Sequence, residues 1–345
     1  MAVAGGPARP SLRFNADDDW VFMTTAPPLP ADKLLDLYRQ LVLLRRFEER
    51  VYTIFLQGEL PGTVHQYQGQ EAVAVGICGH LRKTDWITST HRPHGHALAK
   101  GVSVRAAMAE LYGKATGCCK GKGGSMHLGD PDVGMLPAIA IVAGGNSVVI
   151  GMGLAYKLMR SDQVAVCFFG DGATNEGAFH ESLNFAAVQH LPIVFVCENN
   201  LYGASTAYHK VSLVADVATR ARAYGVQSQI VDGMDVLAVY RAGGDAIAAA
   251  RAGNGPILLE CKTYRFIGHS RSDARGYRSK QEEAEWQAKD PIIRLGQQLR
   301  ADGTVTQGAL DHIEADVKAT LDDAVEFARS SPDATPDMAL EDAYA

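Results

Sequence analysis

No long block of one charge sign interrupts this 345-residue chain, whose 33 basic and 39 acidic residues leave a net charge of −6. That pattern excludes the basic stripe of a nucleic-acid or anionic-membrane binder and leaves small-molecule chemistry as the expectation. No run reaches the length of a membrane-crossing helix, and no apolar secretory segment precedes Asp17-Asp18-Asp19, so a cytoplasmic location is expected. The six cysteines, Cys78, Cys118, Cys119, Cys167, Cys197 and Cys261, fall in no zinc-like spacing. Three of them sit in apolar surroundings that read as buried, which suits a reducing compartment. Gly151-Met152-Gly153 lacks the third glycine and the strand context of a dinucleotide fingerprint, so no nicotinamide site is expected. The glycine-rich stretch Gly113 to Gly124 carries Lys114, Lys120 and Lys122 but not the order of a Walker loop, and reads as a structural loop.

What remains is ample core material, since 47% of the residues are hydrophobic, enough for one elaborate α/β domain. Residues 1–30 read as an extended arm, with Gly5-Gly6-Pro7 and Pro27-Pro28-Leu29-Pro30 bracketing an apolar centre at Trp20 to Met23. A helix is expected from Ala31, where Leu34, Leu37, Tyr38, Leu41 and Leu44 recur at helical spacing. Residues 31–290 are expected to form the α/β body. Past Pro291 the pattern is helical again, with Leu310, Ile313, Val317, Leu321 and Ala324 spaced for a packed face in a C-terminal segment, 291–345. Between these, Ile257 to Cys261 reads as a strand, and the polar, basic stretch Tyr264 to Tyr277 as a mobile surface loop.

Chemistry first shows at two apolar runs. Val164 to Phe169 ends in Gly170-Asp171-Gly172, and Ile193 to Cys197 leads into Asn199-Asn200. Both runs are short and rich in β-branched and aromatic residues, as strands buried on both faces are. Between them Asn175 to Gln189 has the mixed pattern of a helix lying on a sheet. Strand, helix and strand over roughly 30 residues make a parallel crossover, so both strands end on one edge of the sheet, where ligands of such folds bind. Asp171 and an Asn200 amide oxygen then converge, with a Tyr202 carbonyl as third donor. That oxygen set suits Mg²⁺ with phosphate oxygens completing its shell. Gly172 offers no side chain to obstruct a phosphate.

This pair of motifs resembles the thiamine diphosphate-binding signature. The resemblance extends through His65-Gln66-Tyr67-Gln68-Gly69-Gln70-Glu71-Ala72, Ser89-Thr90-His91-Arg92-Pro93-His94-Gly95-His96, Lys120 to His127 and Tyr264-Arg265-Phe266-Ile267-Gly268-His269-Ser270. Together these segments resemble the alpha subunit of the decarboxylating component of 2-oxo acid dehydrogenase complexes, from about Leu34 to Leu299. Thr88 to Arg92, Gly113 to Gly117 and Cys167 to Gly172 look closest to the acetoin dehydrogenase branch.

The resemblance implies a thiamine diphosphate-binding fold, a mainly parallel sheet flanked by helices, with thiamine diphosphate and Mg²⁺ as cofactors. It implies that His65, His91, Arg92, Ala140, Val142, Asp171, Gly172, Ala173, Asn200, Tyr202 and His269 surround the cofactor. Of these, His65 and His269 are implied as catalytic, and Asp171, Asn200 and Tyr202 as metal ligands. His91 stands where relatives commonly have tyrosine. Pro137 to Ala143 departs from the glycine-rich segment of relatives; Ala140 and Val142 match the positions implied to contact the aminopyrimidine, Ala140 through its backbone and Val142 as apolar support, and the segment's extra methyl groups are expected to tighten the pocket. His94, His96 and His127 read as structural, because a hard cation does not select imidazoles. Ser270 and Ser272 fall where some relatives carry regulatory phosphorylation.

Partners are implied as well: a beta subunit in a heterotetramer of two alpha and two beta chains, a lipoyl-bearing acyltransferase and lipoamide dehydrogenase. The expected activity is acetoin cleavage with transfer of the two-carbon acyl unit to lipoamide. Pyruvate or another 2-oxo acid is the alternative substrate, and a noncatalytic scaffold the alternative of a different class.

Overall fold

The computed structural model describes residues 29–341, so all but the last two residues of the expected arm lie outside the described part. In chain order the elements before the first motif are α1 (Ala31–Leu56), α2 (Glu71–Cys78), β1 (Trp86–Thr88), α3 (His94–Lys100), α4 (Val104–Leu111) and α5 (Gly144–Met159). Next come β2 (Ala165–Gly170), α6 (Gly177–Gln189), β3 (Ile193–Asn199), β4 (Tyr202–Gly203), β5 (Thr206–Ala207), α7 (Val217–Ala221), β6 (Gln227–Asp232) and α8 (Val236–Ala249). The last are β7 (Ile257–Lys262), α9 (Lys280–Gln287), α10 (Pro291–Ala301) and α11 (Gln307–Ser330).

Five strands form one sheet in the order β1-β2-β3-β7-β6, and every neighbouring pair is parallel. The expected crossover is present: β2 and β3 are adjacent, with Phe169 opposite Cys197 and Gly170 opposite Glu198. Alternation along each strand feeds two cores, as the two-residue period of a strand requires. Val166 and Phe168 join the core shared with α1, α2, α8 and α11. Ala165, Cys167 and Phe169 join the opposite core, closed by residues of α5, α6 and α7. Helices therefore cover both faces, which explains why these strands read as continuous apolar runs.

The C-terminal helices pack on the same body, with Leu310, Ile313, Val317, Leu321 and Ala324 all buried in the core that holds Leu37, Leu41 and Leu44. Asp290 caps α10 by accepting from the Ile292 amide at 2.9 Å, and Pro291 opens that helix without wasting a donor. All six cysteines are free thiols, and four, rather than the expected three, are buried: Cys78, Cys167, Cys197 and Cys261. Among the described residues no helix is long and apolar enough to cross a membrane.

The stretch from Tyr264 to Tyr277 corrects its sequence reading. It has no helix or strand, but Tyr264 and Arg265 are almost wholly buried, and several of its polar groups are used in hydrogen bonds within the segment and to the adjoining Arg278. Arg278 donates to the carbonyls of Arg265 and Ile267, both at 2.8 Å, and Asp273 accepts from the amides of His269 and Arg275 and from the Tyr277 hydroxyl. A polar composition here marks internal hydrogen bonding, and the segment is tied down at both ends.

Candidate active site

At the carboxyl edge of the sheet, between β2 and β3, lies a cavity of about 510 Å³. Every residue expected around a cofactor lines it: His65, His91, Arg92, Ala140, Val142, Asp171, Gly172, Ala173, Asn200, Tyr202 and His269. The fold therefore gathers positions spread from His65 to His269.

Asp171 opens the short 3₁₀ turn after β2, and its side chain is only 1% exposed. Among the described residues neither carboxylate oxygen has a well-formed hydrogen bond, and only the amides of Asp171 itself and of Asn200 lie near enough to favour its charge. Burial accordingly pushes its pKa up to about 6, against a downward pull led by Arg265. A buried carboxylate without a partner is costly unless something else completes it, and a divalent cation does so. Asn200 sits across from it after β3; its Nδ2 donates to Gln70 Oε1 at 2.9 Å, while Oδ1 receives only a long 3.4 Å contact from the Tyr202 amide. The Tyr202 hydroxyl is committed to Glu282, at 2.9 Å and 3.0 Å, so only its main chain is left to face an ion. Gly172 faces Gly203 so closely that a Cβ on Gly172 would stand 3.0 Å from the Gly203 Cα, which fixes why both positions are glycine.

Three imidazoles meet at one wall. His65, His91 and His269 have ring centroids 5.1 to 5.2 Å apart. Burial, then the positive charge of Arg92, holds His65 and His269 down to about 4 and His91 down to about 2. All three are therefore neutral at pH 7, and the buried His65 Nδ1 and His91 Nε2 have no partner among the described residues. Arg92 itself donates to the carbonyls of Gln66 and of His269, the latter at 2.8 Å, so it fixes the two loops that carry the histidines as well as facing the cavity.

Sequence reasoning passed over Arg265. It is 1% exposed, lines the cavity, and uses Nη2 on the Ala204 carbonyl at 2.8 Å, while Nε and Nη1 have no partner. Two guanidiniums, Arg92 and Arg265, are thus buried at one cavity; burial and then the charge of Arg265 lower the pKa of Arg92, while burial and then the charge of Arg278 lower that of Arg265. The available signal was position: a basic residue directly past β7, at the strand's carboxyl end. Arg265→Gln is expected to weaken binding of inorganic diphosphate about 100-fold by calorimetry, the loss of a charged hydrogen-bonding group. A variant binding as tightly as the wild type would show that this arginine faces no anion.

Behind the wall lies a buried polar layer. Glu198 accepts from the Tyr67 hydroxyl and meets His96 Nε2 at 3.1 Å, while His96 Nδ1 meets Ser89 at 2.8 Å. His94 lies between Glu48, at 3.0 Å, and Ser125, at 2.9 Å, and His127 Nδ1 meets the Ala138 carbonyl at 2.7 Å. All three thus hydrogen-bond to neighbouring side chains or backbone. Ile141 and Val142, by contrast, are 75% and 56% exposed. The cavity wall they form is open on its outer side, so the apolar support expected of Val142 is incomplete within one chain.

The geometry therefore offers an oxygen-lined cation position beside two buried guanidiniums, flanked by neutral imidazoles. Comparison with known proteins gives this arrangement its family. The profile of the dehydrogenase E1 component matches residues 39–337, beyond the stretch recognised in the sequence alone. The alpha subunit of acetoin:2,6-dichlorophenolindophenol oxidoreductase of Bacillus subtilis is 48% identical, over 92% of this chain and 95% of that protein. Its counterpart in Cupriavidus necator is 44% identical, over 93% and 97%. The pyruvate dehydrogenase E1 component subunit alpha of Porphyra purpurea is 42% identical, over 88% and 91%. With a family profile over most of its length and relatives this similar end to end, the chain belongs to the dehydrogenase E1 component family.

Proposed function

We propose that this chain is the alpha subunit of a thiamine diphosphate-dependent acetoin dehydrogenase, which cleaves acetoin and passes the two-carbon acyl unit to lipoamide. The observation that carries it is the Asp171 carboxylate, buried without a partner in the same cavity as the Arg92 and Arg265 guanidiniums. A buried carboxylate without a well-formed hydrogen bond, in one cavity with two buried guanidiniums, fits a divalent ion chelated by a diphosphate, each charge completing the other. The acetoin assignment is supported by the relatives at 48% and 44% identity, whose names specify acetoin, against 42% for the pyruvate dehydrogenase subunit.

In this reading Asp171, the Asn200 amide oxygen and the Tyr202 carbonyl hold Mg²⁺. Gly172 and Ala173 let the diphosphate approach, and Arg92, Arg265 and His269 face it. Ala140 and Val142 border the aminopyrimidine. When bound, thiamine diphosphate supplies a carbanion that attacks a carbonyl and then stores the electrons of the broken carbon bond. The chain's own part is to bind, orient and keep water out. His65 and His269, held neutral by burial and by Arg92, gain the capacity to carry a proton at a ring nitrogen when a bound diphosphate offsets the arginine's charge, the His65 Nδ1 having no partner among the described residues.

A beta chain completes the site, supported by the open, apolar outer side at Ile141 and Val142 and by the exposed Leu158, Met159, Phe185 and Val188 on α5 and α6. The proposed assembly is two alpha and two beta chains serving a lipoyl-bearing acyltransferase and lipoamide dehydrogenase, in a cytoplasm that keeps the six thiols reduced. Residues 31–290 form the cofactor-binding domain and 291–345 a helical segment on it, a division supported by their shared core. Co-expression with the beta partner, followed by turnover of acetoin and pyruvate with an artificial electron acceptor, is expected to favour acetoin by at least about tenfold in kcat/KM. A preference for pyruvate would reverse the substrate assignment, and absence of Mg²⁺-dependent cofactor binding in the full assembly would leave a scaffold.

A further inference from the structure

One cavity residue has no role in the arrangement above. Asn146 stands in the first turn of α5, directly after the wall segment Ile139 to Ala143, and it lines the same cavity as Asp171 and His65. It is fully buried, and neither Nδ2 nor Oδ1 has a hydrogen-bond partner. Its main-chain amide is satisfied by the Ala143 carbonyl at 3.0 Å, so the deficit is confined to the side chain.

An unpaired donor and an unpaired acceptor on one buried group are rarer than either alone, and each costs stability that a valine or leucine would not. The polar residues of the cavity wall offer no remedy, since none of them hydrogen-bonds the Asn146 side chain. The deficit therefore calls for a ligand with one acceptor and one donor side by side. The charged diphosphate does not meet that description, having only acceptors, and Arg92 and Arg265 already face it; an aminopyrimidine, with an amino group beside a ring nitrogen, does meet it, and the cofactor-affinity measurement below separates that occupant from the substrate.

We infer that Asn146 reads the substrate, its Nδ2 donating to the ketone oxygen of an α-hydroxyketone and its Oδ1 accepting from the adjacent hydroxyl. This inference rests on the function proposed above and adds the reason for its substrate choice. A 2-oxo acid brings a carboxylate where the hydroxyketone has its hydroxyl, so Oδ1 would meet another acceptor with no proton between them. Discrimination then comes from a mismatch built against the wrong substrate as much as from contacts to the right one.

The test compares wild type, Asn146→Leu and Asn146→Asp in the assembled alpha-beta enzyme. It measures kcat/KM for acetoin and for pyruvate, calorimetric affinity for thiamine diphosphate with Mg²⁺, and the Tm of the cofactor-free alpha chain. Asn146→Leu is expected to lower kcat/KM for acetoin on the order of 100-fold, about tenfold for each hydrogen bond lost. Pyruvate turnover should change by less than about threefold, cofactor affinity should hold within the same margin, and the Tm should rise as the unpaired carboxamide is removed. Asn146→Asp, which keeps the size but loses the donor, should also lose acetoin turnover. An equal fall for both substrates, a loss of cofactor affinity, or unchanged acetoin turnover in either variant would overturn the inference. If the wild type binds the cofactor but turns over neither substrate, the functional proposal itself fails. An active wild type with indifferent variants removes only the role of Asn146.

Discussion

Replacing Asp171 by alanine is expected to abolish Mg²⁺-dependent retention of thiamine diphosphate and, at the same time, to make the cofactor-free protein more stable. Both effects come from the same two oxygens, buried at 1% exposure with no partner. For an aspartate whose pKa rises to about 6 on folding, the folded state holds the proton more tightly than the unfolded chain does. Stability of the cofactor-free wild type therefore falls as pH climbs from about 4 to about 6, and the penalty is fully present above that window. A lift of about two pK units corresponds to roughly 3 kcal/mol. Asp171→Asn should thus gain about that much at pH 8 and almost nothing at pH 3.5, which denaturant titration at the two values measures. Protons also compete with the ion, so cofactor retention by the wild type should weaken about tenfold for each pH unit below 6. Unchanged retention in Asp171→Ala would remove the metal assignment, and a variant less stable at pH 8 would show that the carboxylate has a partner inside the chain.

The sequence disclosed this site unevenly, and the reasons are physical. β2 and β3 were legible because burial on both faces leaves unbroken runs such as Ile193 to Cys197, and the parallel crossover then fixed where Asp171 and Asn200 must meet. The meeting of His65, His91 and His269 was not readable from periodicity, since three separate loops bring them together and irregular backbone has no period. Family resemblance alone supplied them. Arg265 was lost for a different reason: its neighbours Arg271, Arg275 and Arg278 gave the whole stretch the look of a solvated loop. Composition cannot tell a guanidinium in water from one such as Arg278, which is spent on backbone carbonyls. Asn146 was invisible because one asparagine in a helical stretch has no distinguishing pattern. Only the packed structure shows that nothing answers its side chain.

Glu110→Ala should destabilise the protein by more than about 4 kcal/mol, the opposite of the change at Asp171. The glycine-rich stretch Gly113 to Gly124 reads correctly as structural, but the residue that organises it lies outside it, near the end of α4. Glu110 is fully buried, and its two oxygens accept from the amides of Cys119 at 2.8 Å, Gly121 at 2.9 Å, Gly123 at 2.7 Å and Gly124 at 3.1 Å. Gly121 and Gly124 have φ of +75° and +57°, a backbone that wraps its donors around one anion as a phosphate-binding loop does around a phosphate. That explains the false likeness to a nucleotide cradle: the anion is internal. It also disposes of the nearby Cys118 and Cys119 thiols as a metal site with Glu110, since the carboxylate already has four donors. Alanine would leave four amides unanswered, whereas Glu110→Gln keeps one accepting oxygen and should lose about half as much. The loop leads directly to Ser125, which hydrogen-bonds His94, and to Met126 on the cavity wall, so cofactor affinity should fall along with stability. Denaturation midpoints and amide exchange across residues 113–124 measure both, and a variant matching the wild type in each would show that the loop holds its shape without the carboxylate. Two buried acids in one chain thus make opposite predictions from one rule: Glu110, with every oxygen answered, holds the fold, and Asp171, with none answered, is held in reserve for a ligand.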